Sequence, residues 1–220
     1  MEDHWIFILA VVLLGGAIGG GFYLSHQRTK AIRAIAPQLG FEFLGSGKTF
    51  VPAVAWKFAL FSQGRSQNVE NVVTGRMNGA TIYLFDYSYR TGSGKKSNTH
   101  RHTVAFIQAE NLRLPAFQLT PENFLHKVGH LFGHRDIDFE NEPEFSKAYL
   151  LKGSDEDRVR QVFDYRVISF YNNQQRVCTE GLGNMVLYYV KRQYPVNQWR
   201  KFLAQAREAV DVFRASSHSV

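Results

Sequence analysis

Hydrophobic positions along the chain fall into one long apolar run followed by many short patterned segments. The run, Trp5 to Leu24 (WIFILAVVLLGGAIGGGFYL), holds no charged residue and no proline. Twenty residues at about 1.5 Å of helical rise cover roughly 30 Å, the depth of a bilayer's hydrocarbon core. The pattern therefore predicts a transmembrane helix, with Trp5 at one interface and Phe22 and Tyr23 at the other. A cleaved signal peptide fits less well, because Glu2, Asp3 and His4 replace the basic leader and Ser25-His-Gln-Arg28 is a poor cleavage site.

Beyond the run, Ser25 to Leu39 carries Ile32, Ile35 and Leu39 at helical spacing and stops at Gly40. Phe41 to Leu44 alternates as a strand, and the apolar stretch Val51 to Phe61 reads as a helix. Val69 to Met77, Thr81 to Tyr89 and His100 to Gln108 have the period of strands. Asn78-Gly79 between the first two is a strong hairpin signal, since both residues accept positive φ. The three strands form an antiparallel meander. Short extended pieces follow at Leu112–Pro115 and Phe117–Leu119. Thr120 and Pro121 then open a helix to about Phe132. Asp136–Phe139 is extended, Glu142–Lys147 a short helix and Tyr149–Lys152 extended. Two short helices follow, the first capped by Ser154 or Asp155 and the second running from Asp164 to Tyr171. Arg176–Thr179 and Asn184–Val190 make a hairpin across Gly181-Leu-Gly183. An amphipathic helix over Val196–Ala215 closes the chain, with Trp199, Phe202, Ala206, Ala209 and Phe213 on one face.

The expected architecture is α+β. An N-terminal transmembrane helix (1–24) and a juxtamembrane helix (25–40) lead to a soluble domain (41–215) and a flexible tail (216–220). The domain has a mainly antiparallel sheet with flanking helices. The chain resembles a group of uncharacterised bacterial single-span membrane-anchored proteins grouped as a domain of unknown function. The residues carrying the likeness are Phe85-Asp86-Tyr87-Ser-Tyr89 with the Gly/Ser/Lys hairpin after it, Thr103-Val-Ala, Leu112-Arg-Leu-Pro115, Asp136-Ile-Asp-Phe139, and Glu142 to Tyr149 leading to Ser154-Asp155. The resemblance implies the same layout of anchor, sheet and helices, and no activity.

Charge sets the expected sidedness. The chain is +7, and its first 24 residues contribute only Glu2 and Asp3, so the basic surplus lies in the domain. No Lys or Arg precedes the run, whereas Arg28, Lys30 and Arg33 follow it, which places the domain on the cytoplasmic side of a cell (inner) membrane. A basic domain beside a bilayer is drawn to anionic headgroups, with Arg28, Lys30, Arg33, Lys95 and Lys96 as lipid-facing candidates. Lipid is a more economical partner than nucleic acid. Gly15/Gly19 and Gly16/Gly20 are GxxxG pairs that would allow a homodimer in the membrane.

Candidate chemistry is sparse. The single cysteine, Cys178, excludes an intrachain disulfide and a multi-cysteine zinc site, and it reads as a core residue. His126, His130 and His134 recur every four residues, but Lys127 stands where a zinc protease has its glutamate. His100 and His102 share one strand face. These histidines are the candidate metal ligands. The acids from Asp136 to Glu144 lack calcium-loop spacing, and Gly92-Ser-Gly-Lys-Lys96 lacks the P-loop's spacing and following helix. No cofactor is expected. The leading expectation is a membrane-tethered interaction or regulatory module with an unknown protein partner. The alternatives are a metal-dependent hydrolase using the histidines and an anionic-lipid surface reader with a pleckstrin-homology-like sheet.

Overall fold

A computed structural model describes residues 2–122, 136–174 and 176–217, with the side chains of 2–18 and of Lys95 outside the description. Thirteen regular elements organise it. They are α1 (Glu2–Ile35), β1 (Glu42–Gly45), β2 (Arg65–Met77), β3 (Ala80–Thr91), β4 (Asn98–Ala109), β5 (Leu114–Pro121), α2 (Pro143–Ala148), β6 (Tyr149–Gly153), α3 (Glu156–Val162), α4 (Tyr165–Asn172), β7 (Val177–Gly183), β8 (Met185–Val190) and α5 (Trp199–Ser217).

The strands form one eight-stranded sheet in the order β1-β2-β3-β4-β8-β7-β5-β6, and every neighbouring pair is antiparallel. The meander β2-β3-β4 is as the alternation predicts. Its first turn places Asn78 at φ 51° and Gly79 at φ 69°, the left-handed pair that a two-residue hairpin requires. A single continuous sheet replaces the pleckstrin-homology-like arrangement.

Period-two alternation divides the sheet's two faces between two cores. One face carries Ile82, Leu84, Ala105, Ile107, Val186 and Tyr188, covered by α2 to α5 and by the C-terminal part of α1. The other carries Phe85, Tyr87, Val104, Phe106, Cys178 and Leu187, covered by Val51, Ala55, Phe58, Leu60 and Phe61. The expected helix over Val51–Phe61 is instead a series of 3-10 turns, Ala53–Lys57 and Ala59–Ser62. The amides of Ala59 and Leu60 donate to the Glu180 carboxylate at 2.6 and 3.1 Å, so a distant side chain supplies acceptors that a helix would take from its own backbone.

The expectation of a transmembrane helix over Trp5 to Leu24 is corrected: no helix among the described residues is long and apolar enough to cross a membrane. Residues 2–35 form one helix that runs through the expected boundary at 24/25. Ile32 and Ala36 are buried against the sheet, so the end of α1 belongs to the domain's core.

Three further expectations change. The extended pieces at 112–119 are one strand, β5, and Pro121 ends that strand opposite Tyr149 rather than opening a helix. The expected helix to Phe132 otherwise lies outside the described residues. The β7–β8 turn falls at Gly183-Asn184, because Gly181 is inside the ladder, opposite Phe117 and Val186. A Cβ on Gly181 would come within 2.2 Å of the Phe117 ring, so the glycine makes room for that ring. The tail begins later than expected, since α5 reaches Ser217 and Ser216 is buried.

Candidate functional site

The site at which α1 meets the sheet is built around Asp86. Alternation along β3 puts Asp86 on the same face as Ile82 and Leu84, where an unpaired carboxylate would be costly to bury. Asp86 is 2% exposed, and Arg28 of α1, 17% exposed, reaches it with two parallel bonds. Arg28 Nε donates to Oδ2 and Nη2 to Oδ1, both at 2.7 Å. Asn71 Nδ2 donates to Oδ2 at 3.0 Å, and Thr103 Oγ1 donates to Oδ1 at 3.3 Å. The forked geometry is the strong form of an arginine–carboxylate pair.

The network extends outward from there. Arg28 Nη1 donates to the Tyr194 carbonyl at 2.8 Å, and its guanidinium lies 5.9 Å from the Trp199 ring. Thr29 Oγ1 donates to Asn71 Oδ1 at 2.7 Å. Asn71 adopts φ 59° at a bulge in β2, a left-handed conformation that asparagine tolerates better than most residues. One arginine thus ties α1 to β3 and to the link between β8 and α5.

Next to this joint opens a cleft of about 710 Å³. The helix side supplies Gly21, Leu24, Ser25 and Arg28, at the three- and four-residue spacing of one helix face. The sheet side supplies residues from β2, β3 and β4, including Glu70, Arg90 and Arg101. Around this turn α1 exposes Phe22 (75%), Tyr23 (62%) and Leu24 (70%), of which Leu24 also lines the cleft.

The opposite face of the sheet carries further buried polar groups. Glu180 is fully enclosed, and burial lifts its carboxyl to about 7 despite donation from the Ala59 and Leu60 amides and the Tyr189 hydroxyl. Cys178 is pushed up to about 12 by burial, which leaves it an unreactive thiol. His102 is depressed to about 3, first by burial and then by Lys191, with the Val190 backbone opposing. It is therefore neutral at physiological pH. Its ring nitrogens, like the Tyr87 hydroxyl, have no hydrogen-bond partner of good geometry among the described residues.

The sequence candidates are distributed as follows. His100 and His102 both stack on Tyr89, at ring-centroid distances of 4.9 and 5.4 Å. His100 Nε2 is engaged with Thr91 Oγ1 at 2.7 Å. No group of three or more His, Cys, Asp or Glu among the described residues could hold a metal ion. His126, His130 and His134 lie outside the described residues. Of the lipid-facing candidates, Arg28 is turned inward to Asp86, and Arg33 lies 4.9 Å from the Phe43 ring. Lys30 and Lys96 are exposed, and the Lys95 side chain is outside the description. Gly19 and Gly20 have open space about them, and Gly15 and Gly16 precede the residues whose surroundings are described.

Asp86, Glu180, Arg90 and Arg101 were not singled out by sequence patterning. The available signal was an acid inside an otherwise apolar alternating strand, at Phe85-Asp86-Tyr87 and again at Cys178-Thr-Glu180.

The fold and the joint define an α+β sheet domain whose N-terminal helix is bolted across one end of the sheet. No family model and no curated protein matches the chain. Among solved structures it is similar to the crystal structure of the mycobacterial trehalose monomycolate transport factor A, TtfA. The TM-score is 0.64 at 15% identity, over 84% of this chain and 94% of that one. The likeness is one of fold.

Proposed function

We propose that this chain is a non-catalytic interaction module that works against an anionic lipid surface. The observation that carries the reading is the flank of α1. Phe22, Tyr23 and Leu24 are exposed around one turn of this helix, Lys30 is exposed two turns further on, and Leu24 lines a cleft that also contains Arg90 and Arg101. Exposed aromatic and leucine side chains flanked by cations favour the boundary between headgroups and acyl chains. The chain's net charge of +7 adds long-range attraction to an anionic leaflet.

The non-catalytic part is supported by where the buried titratable groups among the described residues are used. Asp86 holds Arg28, Glu180 holds two backbone amides, and Cys178 is buried and protonated. A nucleophile needs a base within hydrogen-bond reach and room for a substrate, and these groups have neither role open to them.

Flotation of the full chain with vesicles tests the reading. The expected result is binding to phosphatidylglycerol/phosphatidylcholine vesicles that weakens with added salt, and little binding to phosphatidylcholine alone. Equal recovery with both vesicle types, or with neither, would refute it.

A further inference from the structure

The floor of the cleft beside α1 is fixed by strand register. Ser88 of β3 stands opposite Arg101 of β4, and Arg90 stands opposite Thr99. Ser88 and Arg90 lie two and four residues beyond Asp86, so they share its face. The two arginines are therefore diagonal neighbours on one face, each facing a hydroxyl-bearing residue across the ladder. Both are exposed, and neither guanidinium has an ion pair or hydrogen bond among the described residues. Arg28, on the wall above, is already neutralised by Asp86. Like charges so placed repel each other, and a shared anion relieves the repulsion. Two planar guanidinium forks suit the oxygens of one phosphate group.

The remaining lining argues against a bare anion. Glu70 faces the same space, together with Asn68 and Gln193. A carboxylate repels a second anion, yet it is a strong acceptor for hydroxyl groups, and amide side chains both donate and accept. The combination matches a phosphate that carries a polyol. Leu24 on the helix wall is 70% exposed, an apolar exit for what is attached to the headgroup. A volume of about 710 Å³ is of the size that holds a small-molecule ligand.

We propose that this cleft is a headgroup site for an anionic phospholipid with free hydroxyls, the phosphate held by Arg90 and Arg101 and the polyol by Glu70 and Asn68. The proposal rests on the lipid-surface reading and gives it a site.

Isothermal titration of the full chain with soluble probes tests the site without a membrane. The probes are glycerophosphoglycerol, inorganic phosphate and glycerol. Arg90→Gln/Arg101→Gln is compared with Arg113→Gln/Arg158→Gln, which removes equal charge from a different cleft. All four arginines are exposed, and equal melting temperatures show that the variants fold. Glycerophosphoglycerol is expected to bind at millimolar concentration and to weaken about tenfold or more in the first double variant only, the scale of a lost charge-assisted contact. Glu70→Gln is expected to weaken glycerophosphoglycerol while strengthening inorganic phosphate. Three results would overturn the site: no binding of glycerophosphoglycerol, equal weakening in both double variants, or inorganic phosphate binding as tightly as the headgroup. In each case vesicle flotation still reports separately on the lipid-surface reading.

Discussion

Removing the charge on Asp86 tests the joint between α1 and the sheet. Asp86→Asn keeps the side chain's shape and loses the anion that Arg28 pairs with. The carboxylate now receives four hydrogen bonds, two from Arg28 at 2.7 Å, one from Asn71 at 3.0 Å and one from Thr103 at 3.3 Å. Breaking one partner of a buried ion pair costs about 3–5 kcal/mol, because the other charge is left unpaired. Arg28 retains 17% exposure, so water recovers part of its solvation and the lower end of that range applies. About 3 kcal/mol in a domain of this size lowers the melting temperature by roughly 6–12 °C. Urea unfolding followed by far-UV circular dichroism measures it. Arg28→Met alone is expected to cost a similar amount, since Asp86 then keeps only Asn71 and Thr103. The double variant should cost about 2 kcal/mol less than the sum, the signature of coupled neighbours. Strict additivity, or a cost below ~1 kcal/mol for Asp86→Asn, would show that the joint does not hold the helix.

Other expectations concern the sheet and its buried titrating groups. The Glu180 carboxyl is raised to about 7 from a usual value near 4.5, so its contribution to stability is present below about pH 4.5 and lost as pH rises to about 7. Glu180→Gln should remove that fall, seen as a flatter stability profile over this window. His102 is held near 3 against an unfolded value near 6.5, so its contribution is present above about pH 6.5 and lost as pH falls toward 3. His102→Phe should raise stability at pH 4–5 relative to the parent in urea titrations, because neither ring nitrogen has a good partner to lose. Gly181→Ala should cost about 1–3 kcal/mol by driving a methyl into the Phe117 ring, measured by thermal melting.

Local pattern carried much of the sheet. Alternation with Asn78-Gly79 defines β2-β3-β4, and helical spacing with an apolar stripe defines α5, because each depends on neighbours in sequence. The placement of β5 depends on distant partners. Phe117 lies between Gly153 of β6 and Gly181 of β7, and only that packing explains why Gly181 is in a strand instead of a turn. The 3-10 turns at 53–62 have the same origin, since Glu180 takes their amides from 120 positions away. At the candidate site, Arg28 could be found from the sequence as a cation after an apolar run. That it turns inward could not, because Asp86 is 58 residues further along. The apolar run itself was legible as a helix. Its continuation into the domain as a single helix, docked by Arg28 and Ile32, follows from contacts with the sheet.

The lipid-surface account is tested most directly by placing an environment-sensitive probe on the helix flank. Cys178 is buried and inert, so Tyr23→Cys in the full chain can be labelled selectively with a nitrobenzoxadiazole dye. Tyr165→Cys, on a side chain 75% exposed at the start of α4, serves as the reference position. On phosphatidylglycerol-containing vesicles the account predicts a blue shift and brighter emission at position 23, and no change at position 165. An unchanged spectrum at 23, or the same shift at both positions, would contradict it.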